Sequence, residues 1–86
     1  MDNKIITSPY TAIELLNNFV LISKSYGTNP KLYAKYIDGS ILVLSKNTKY
    51  HLSEKEFIDE FNLSTFYIYK NLDEIEIDQE FHKLRQ

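Results

Sequence analysis

Two runs of tyrosine and branched aliphatic residues flank Asp38 and Gly39 in the segment KLYAKYIDGSILVLS, residues 31–45. This pattern is the strongest hairpin signal in the chain, because Asp-Gly favours the tight turns that join antiparallel strands. A two-residue turn at this pair places Tyr33 opposite Leu44 and predicts that both residues lie on one face of the hairpin.

Both faces of the predicted hairpin are apolar, whereas a sheet with one face in water alternates apolar and polar residues. In the predicted register, one face carries Tyr36, Ile41, Ala34 and Val43. The other face carries Tyr33, Ile37, Leu42 and Leu44, with Lys35 among them. Two short helices can cover only one face. A bare second face predicts a homo-oligomer, at least a dimer, packed sheet against sheet.

Capping signals mark the starts of two predicted helices. Ser8 suits the N-cap position, and Pro9 follows it at the first helical position, where its missing N–H costs nothing. Ser53 and Glu56 have the spacing of a capping box, which opens a helix that reaches Phe61. The residues predicted to point inward from the two helices are Ile13, Leu16, Phe57, Ile58 and Phe61.

Strand patterns occupy most of the remaining chain. Apolar residues alternate over residues 19–26, residues 49–52 form a short strand, and β-branched and aromatic residues fill 65–70. Residues 71–86 combine strand-like alternation with helical spacing, and we prefer a C-terminal helix. The order of elements predicts an α+β fold in a single domain over residues 1–86. We expect a small, mainly antiparallel sheet of four to five strands, with two or three short helices packed on one face.

Composition narrows the classes of function. The chain has no cysteine, which excludes disulfides and thiolate metal sites. No apolar run approaches the ~20 residues of a membrane span, and no signal-peptide pattern is present, so we expect a cytoplasmic protein without a membrane partner. The net charge is −2, and the single arginine is Arg85. A nucleic-acid partner is therefore not expected, because the basic surface that it requires is missing.

The residue chemistry gives little support for catalysis. His51 and His82 match no metal-ligand spacing. Glu56 and Glu60 lie one turn apart on the polar side of a predicted helix, which is typical of a solvated face. The serines show no nucleophile motif with a base, and two glycines cannot form a glycine-rich phosphate loop. We expect no enzymatic activity, no metal and no cofactor.

Seven tyrosines and five phenylalanines, without tryptophan, give the chain an unusual aromatic content. Most of those on predicted strands are expected in the core or at an interface between subunits. The alternative is that some line a pocket and stack on a planar ligand, while lysines on the same strands meet a phosphate. The candidate ligand-binding residues are Lys24, Tyr26, Tyr33, Lys35, Tyr67 and Tyr69.

Four short segments resemble a family of small phage-encoded proteins. They are the predicted first helix AIELLNN at 12–18, the hairpin YIDG at 36–39, YHLS at 50–53 and the closing strand FYIY at 66–69. The family includes the anti-Thoeris sponges, which are oligomers that sequester cyclic ADP-ribose-type immune signals. The similarity covers residues 10–70. The chain departs from the family at Tyr26 and Phe66, where the family has tryptophan, and its basic pair is reduced to Lys24.

The resemblance implies a phage or prophage accessory protein of the host cytoplasm that counters a host defence. It would bind and sequester a cyclic ADP-ribose-type nucleotide without catalysis. The alternative is a protein-binding inhibitor of a host defence enzyme, such as a CRISPR nuclease, that acts through the acidic C-terminal half. The acidic run at residues 73–80 can dock on a basic partner, or it can be a solvated face. A plain regulatory or structural module is a third interpretation.

Overall fold

The computed structural model describes residues 5–23, 30–36, 38–46 and 48–74, together with Glu76, Gln79 and His82. The elements are α1 (Pro9–Leu15), β1 (Phe19–Ser23), β2 (Lys31–Lys35), β3 (Ile41–Leu44), β4 (Lys49–Leu52), α2 (Glu54–Phe61), β5 (Tyr67–Asn71) and a 3-10 helix (Leu72–Glu74). The five strands form one antiparallel sheet in the order β4-β3-β2-β1-β5. The predicted α+β fold with a mainly antiparallel sheet is confirmed.

Both predicted helix starts are confirmed by their caps. The Ser8 side chain accepts a hydrogen bond of 3.4 Å from the Thr11 backbone N–H, at the start of α1. At the start of α2, the Ser53 hydroxyl accepts from the Glu56 N–H at 3.1 Å, and the Glu56 carboxylate accepts from the Ser53 N–H at 3.0 Å. The hydrogen bond from the Ser53 N–H to the carboxylate, and after it a side-chain hydrogen bond with Ser53, lowers the pKa of Glu56. Local sequence is therefore sufficient to start each helix.

The register of the β2–β3 hairpin differs from the predicted one by a single residue. Tyr33 lies opposite Val43, because the Tyr36 N–H donates to the Ser40 carbonyl at 2.8 Å. The Gly39 N–H donates to the Tyr36 carbonyl at 3.0 Å, and Gly39 has a φ of 89°. A left-handed glycine at this point is typical of a three-residue loop, which is longer than the two-residue turn that we predicted.

This shift exchanges side chains between the two faces of the sheet. Tyr33 packs in one cluster with Ile41 and Val43, so the prediction that it shares a face with Leu42 and Leu44 is wrong. Ala34, predicted on the face of Ile41 and Val43, instead lies in the cluster of Leu42 and Leu44. The physical reason is the extra loop residue, because side chains alternate with a period of two.

The larger core cluster, called here the first cluster, joins residues of both helices to the sheet. Tyr33 is 1% exposed within it, and its ring meets the rings of Phe57, Phe61 and Phe66 edge-on at centroid distances of 5.6, 5.1 and 5.3 Å. Such edge-to-face pairs stabilise a core beyond their buried area. The buried members are Ile6, Ala12, Leu16, Leu21, Tyr33, Ile41, Val43, Phe57, Phe61 and Phe66.

A smaller group of apolar residues, the second cluster, consists of Val20, Leu32, Ala34, Leu42 and Leu44. Each of them is at most 2% exposed in a single chain. Ile22, Tyr69 and Leu72 pack against the cluster. The homo-oligomer predicted from sequence required Leu42 and Leu44 to be bare, whereas both are buried within a single chain.

An irregularity in β5 places two neighbouring side chains together. Val20 pairs with Lys70 and Leu21 pairs with Ile68, so Tyr69 is an extra residue on β5. In a β-bulge of this kind, two residues on one strand oppose one residue on the other. The Lys70 ammonium lies 5.4 Å from the centroid of the Tyr69 ring, which is a cation–π contact.

The structure tests only part of the C-terminal prediction. Asn71 is the last residue of β5, and the 3-10 helix Leu72–Glu74 follows it. The start of the predicted C-terminal helix, residues 71–86, is therefore a strand end and a 3-10 turn. Most of residues 75–86 lie outside the described residues. Among the helices that the structure describes, none has the length and apolar character to cross a membrane.

Candidate ligand-binding site

One end of the sheet collects polar side chains from several elements. β2 ends at Lys35, β1 begins at Phe19, and β5 ends at Asn71. Adjacent strands are antiparallel, so the end of one strand lies beside the start of the next. Phe19 pairs directly with Asn71, which brings the start of β1 and the end of β5 together. The turn that leaves α1 joins them at this end of the sheet.

A cleft of about 270 Å³ opens between these elements. Its position is fixed by backbone hydrogen bonds: the Asn18 N–H donates to the Leu15 carbonyl at 3.0 Å, and the Leu72 N–H donates to the Asn18 carbonyl at 2.9 Å. The lining residues are Asn17, Asn18, Phe19, Asn71, Leu72 and Asp73. The end of α1 and the end of β5 therefore supply the walls of the cleft, here called the amide cleft.

Lys35 lies next to the amide cleft, because it forms a hydrogen bond with Asn17, one of the residues that line the cleft. Its ammonium donates a hydrogen bond of 2.7 Å to Oδ1 of Asn17. With that oxygen engaged, the Asn17 side-chain NH₂ group remains to donate to a ligand. An ammonium has three N–H donors, so the bond to Asn17 leaves Lys35 able to meet an anionic group. The structure thus brings one sequence-predicted site residue next to the amide cleft.

The groups around the amide cleft suit a polar ligand with both hydrogen-bond donors and acceptors. Asparagine amides donate and accept, the Asp73 carboxylate accepts, and the half-buried Phe19 ring offers an apolar surface. The three asparagines and Asp73 were not among the ligand-binding residues predicted from sequence. The sequence gives little indication that these asparagines bind a ligand, because asparagine is also the residue expected at helix ends and turns.

The structure places the other sequence candidates in different surroundings. Lys24 and Tyr26 lie outside the described residues. Tyr33 is a core residue whose hydroxyl lies 2.7 Å from Ser23 Oγ, and its ring is enclosed by phenylalanines. Burial raises the pKa of Tyr33 to about 12. Its ring therefore offers no surface on which a ligand can stack.

Tyr67 and Tyr69 remain together on β5, away from Tyr33. Tyr67 lies opposite Ile22, and both Ile22 and Tyr69 pack near the second cluster. Residues directly opposite on neighbouring strands share a face, so the two tyrosines lie on the same side of the sheet. Both are half-buried.

A second polar group lies at the same end of the sheet, across the β2–β3 loop. Ser40 Oγ donates to Asp38 Oδ1 at 2.6 Å, and Ser40 Oγ also lies 3.1 Å from His51 Nδ1. The Ser40 N–H also donates to Asp38 Oδ1 at 2.9 Å, and these two bonds lower the pKa of Asp38. No sequence motif marks Ser40 as lying beside a base, because its approach to His51 depends on strand register.

This group is not a nucleophilic triad. In such a triad the histidine lies between the serine and the carboxylate, and it removes the serine proton. Here Ser40 lies between Asp38 and His51, and its proton goes to the carboxylate. Among the described residues, no three histidine, aspartate or glutamate side chains come together to hold a metal ion.

An apolar groove of about 340 Å³ lies near the N-terminal segment. Ile6 pairs with Phe66 ahead of β5, and this pairing places Ile5 beside Ile68. These two isoleucines are 57% and 42% exposed. The lining residues are Ile5, Ile6, Thr7, Ser8, Thr11, Leu15 and Ile68.

The chain matches no known protein-family model, no curated protein and no solved structure. The resemblance to the small phage-encoded proteins is therefore one of four short sequence segments alone.

Proposed function

We propose that the protein binds a small nucleotide-derived ligand of the cyclic ADP-ribose type and acts by sequestering it, without catalysis. The observation that supports this proposal best is the amide cleft with Lys35 at its wall. It combines amide groups, an aromatic ring and an ammonium group. These are the groups that hold the base, the ribose and the phosphate of a nucleotide without covalent chemistry.

The amide cleft is of a size that suits one nucleoside portion of a larger ligand. Pockets for small molecules span roughly 300–1,000 Å³, and the amide cleft of about 270 Å³ lies just below that range. A dinucleotide-like ligand would place one base and ribose in the cleft. Its phosphates would then extend along the end of the sheet towards Lys35.

The biological setting that we propose follows from the resemblance to the phage-encoded family. The protein would be a phage or prophage accessory protein that acts in the host cytoplasm and removes an immune signal. Stoichiometric sequestration requires only binding, without a nucleophile or a general base.

The test is a titration of the purified protein with a panel of cyclic and linear ADP-ribose nucleotides, followed by calorimetry and thermal melting. A ligand that binds the folded state raises the Tm. Lys35→Met is the test variant, and Lys31→Met is its matched control. Lys31 lies at the opposite end of the same strand, with its ammonium 5.5 Å from the centroid of the Phe61 ring.

We expect Lys35→Met to weaken binding by roughly ten- to a hundredfold, because a hydrogen bond to a charged group contributes ~1.5–3 kcal/mol. Lys31→Met should bind as the wild type does. Equal losses in both variants would place the binding site elsewhere. If no nucleotide binds or raises the Tm, the proposal of a nucleotide sponge is wrong.

The second candidate function is inhibition of a host defence protein. The observation that favours it is the apolar groove with its exposed Ile5 and Ile68, which resembles the apolar part of a protein interface. This candidate predicts co-elution of the purified protein with a defence enzyme and no response to nucleotides. Ile68→Ser would then weaken the complex, whereas Lys35→Met would leave it unchanged.

A further inference from the structure

The chain of hydrogen bonds from Asp38 through Ser40 to His51 determines where the protons lie. A carboxylate only accepts hydrogen bonds, and a serine hydroxyl has a single proton to donate. The Ser40 proton therefore occupies the short 2.6 Å bond to Asp38. Ser40 Oγ must then accept from His51 Nδ1, which lies 3.1 Å away. This bond requires a proton on Nδ1 of the imidazole.

A proton on Nδ1 leaves Nε2 of the neutral ring with its lone pair. The His51 side chain is exposed, and its one hydrogen bond within the described part of the chain is made by Nδ1. Nε2 is therefore a hydrogen-bond acceptor on an exposed side chain whose ring is held through Nδ1. A histidine held in this way resembles those whose second nitrogen is oriented by a neighbouring acceptor to bind a metal or a substrate.

An aromatic ring stands beside this acceptor. The Tyr36 ring lies 5.0 Å from the His51 ring at an interplanar angle of 89°, and Tyr36 is 48% exposed. An exposed tyrosine ring is a surface on which a planar group can stack. The two side chains thus offer stacking and one hydrogen-bond acceptor side by side.

We propose that His51 is held with its proton on Nδ1 and that, with Tyr36, it forms a binding site for the amino group of a planar heteroaromatic ring, such as an aminopurine. The ring lies against Tyr36 and its amino N–H donates to His51 Nε2. His51 lies on β4 at one edge of the sheet, whereas the amide cleft lies beside β1 and β5 at the other edge. This site is therefore separate from the amide cleft and does not depend on the nucleotide proposal made above.

The position of the proton is tested by long-range ¹H–¹⁵N correlation spectra of the histidine rings at a pH where both are neutral. We expect the pattern of an Nδ1–H ring for His51. Ser40→Ala removes the acceptor of that proton, and His51 should then shift to the Nε2–H form. Asp38→Ala frees the Ser40 proton to donate to His51, which should produce the same shift. An Nε2–H ring in the wild type would overturn the proposal.

The ligand is tested with adenosine as the probe and purine riboside, which lacks the amino group, as the matched control. We expect adenosine to perturb the ring signals of His51 and Tyr36 in a saturable way and to bind at least tenfold more tightly than purine riboside. The variants His51→Phe and Tyr36→Ser should each remove the difference, while Lys31→Met should keep it. Equal affinity for the two nucleosides, or no binding of adenosine, would overturn the proposed site.

Discussion

The hydroxyl of Tyr33 lies 2.7 Å from Ser23 Oγ and links two neighbouring strands, β2 and β1, beside the first cluster. The ring of Tyr33 is otherwise enclosed by apolar side chains. Its hydroxyl is a polar group in an apolar setting, and such a group is costly to bury without a hydrogen-bond partner. Within the described residues, every buried side-chain nitrogen or oxygen has a partner. The Ser23 contact is therefore a structural requirement of placing a tyrosine at position 33.

We expect Ser23→Ala to destabilise the fold more than Tyr33→Phe. Ser23→Ala leaves the Tyr33 hydroxyl without its partner, which costs ~1–3 kcal/mol, whereas Tyr33→Phe removes the buried group itself and costs ~0.5–1.5 kcal/mol. The double variant should be about as stable as Tyr33→Phe alone. Urea denaturation followed by circular dichroism gives the free energies of unfolding. The opposite order of the two single variants would show that the hydroxyl has another partner.

Alkaline pH should destabilise the wild type more than Tyr33→Phe. Burial raises the pKa of Tyr33 from 10.0 to about 12, so between these values the unfolded chain loses the proton and the folded chain keeps it. Stability therefore falls as the pH rises above 10. One pKa unit corresponds to ~1.4 kcal/mol, so the variant should avoid a loss of about 2 kcal/mol by pH 12.

The measurement is the free energy of unfolding of the wild type and of Tyr33→Phe between pH 9 and 11.5. The quantity that tests the prediction is the difference between the two free energies at each pH. Burial and the nearby Glu60 carboxylate also raise the pKa of Tyr50, and this contribution is shared by the two proteins. Parallel pH curves for the wild type and Tyr33→Phe would contradict the assignment of Tyr33 to the core.

The burial of the second cluster leads us to expect a monomer of 10.2 kDa in light scattering. Leu42 is 1% exposed within a single chain. Leu42→Ala should therefore cost ~2–5 kcal/mol in free energy of unfolding without any change in mass. The homo-oligomer predicted from sequence would instead give a wild-type mass above that of the monomer, and Leu42→Glu would then yield a soluble monomer or a poorly folded chain. A concentration-dependent Tm in the wild type would favour the oligomer.

Gly39 should be sensitive to substitution for backbone reasons alone. Its φ of 89° is strained for an L-residue, but a Cβ built at this position meets no atom within 4 Å. We expect Gly39→Ala to cost ~1 kcal/mol and Gly39→Asn to cost less, because asparagine tolerates the left-handed region better. Thermal unfolding of the two variants checks this order. Equal stability of Gly39→Ala and the wild type would argue for a different loop conformation.

The sequence by itself determined the features that depend on neighbours within a few residues. Ser8 with Pro9, and Ser53 with Glu56, place their hydrogen-bonding groups within one helical turn, so the helix starts are encoded locally. Asp38 and Gly39 also identified the hairpin correctly. Strand segments followed from runs of β-branched and aromatic residues, and their number led to the α+β fold.

The tertiary structure decided the hairpin register, and with it the composition of each face. Loops of two and three residues at Asp38 and Gly39 differ little locally, yet they place Tyr33 on opposite faces. The packing of Tyr33 among Phe57, Phe61 and Phe66 joins residues far apart in the chain, and this contact selects the observed register. Sequence patterns report which residues are apolar, but only packing fixes which of them meet.

The candidate sites depend on tertiary structure for the same reason. Lys35 was a candidate from sequence, but its approach to Asn17 requires the end of β2 to lie beside the end of α1. Ser40 directly precedes β3 and His51 lies eleven positions later on β4, and a shift of one residue in the register would separate them. Local sequence supplied the side chains, and the pairing of strands with a side-chain period of two determined which of them share a surface.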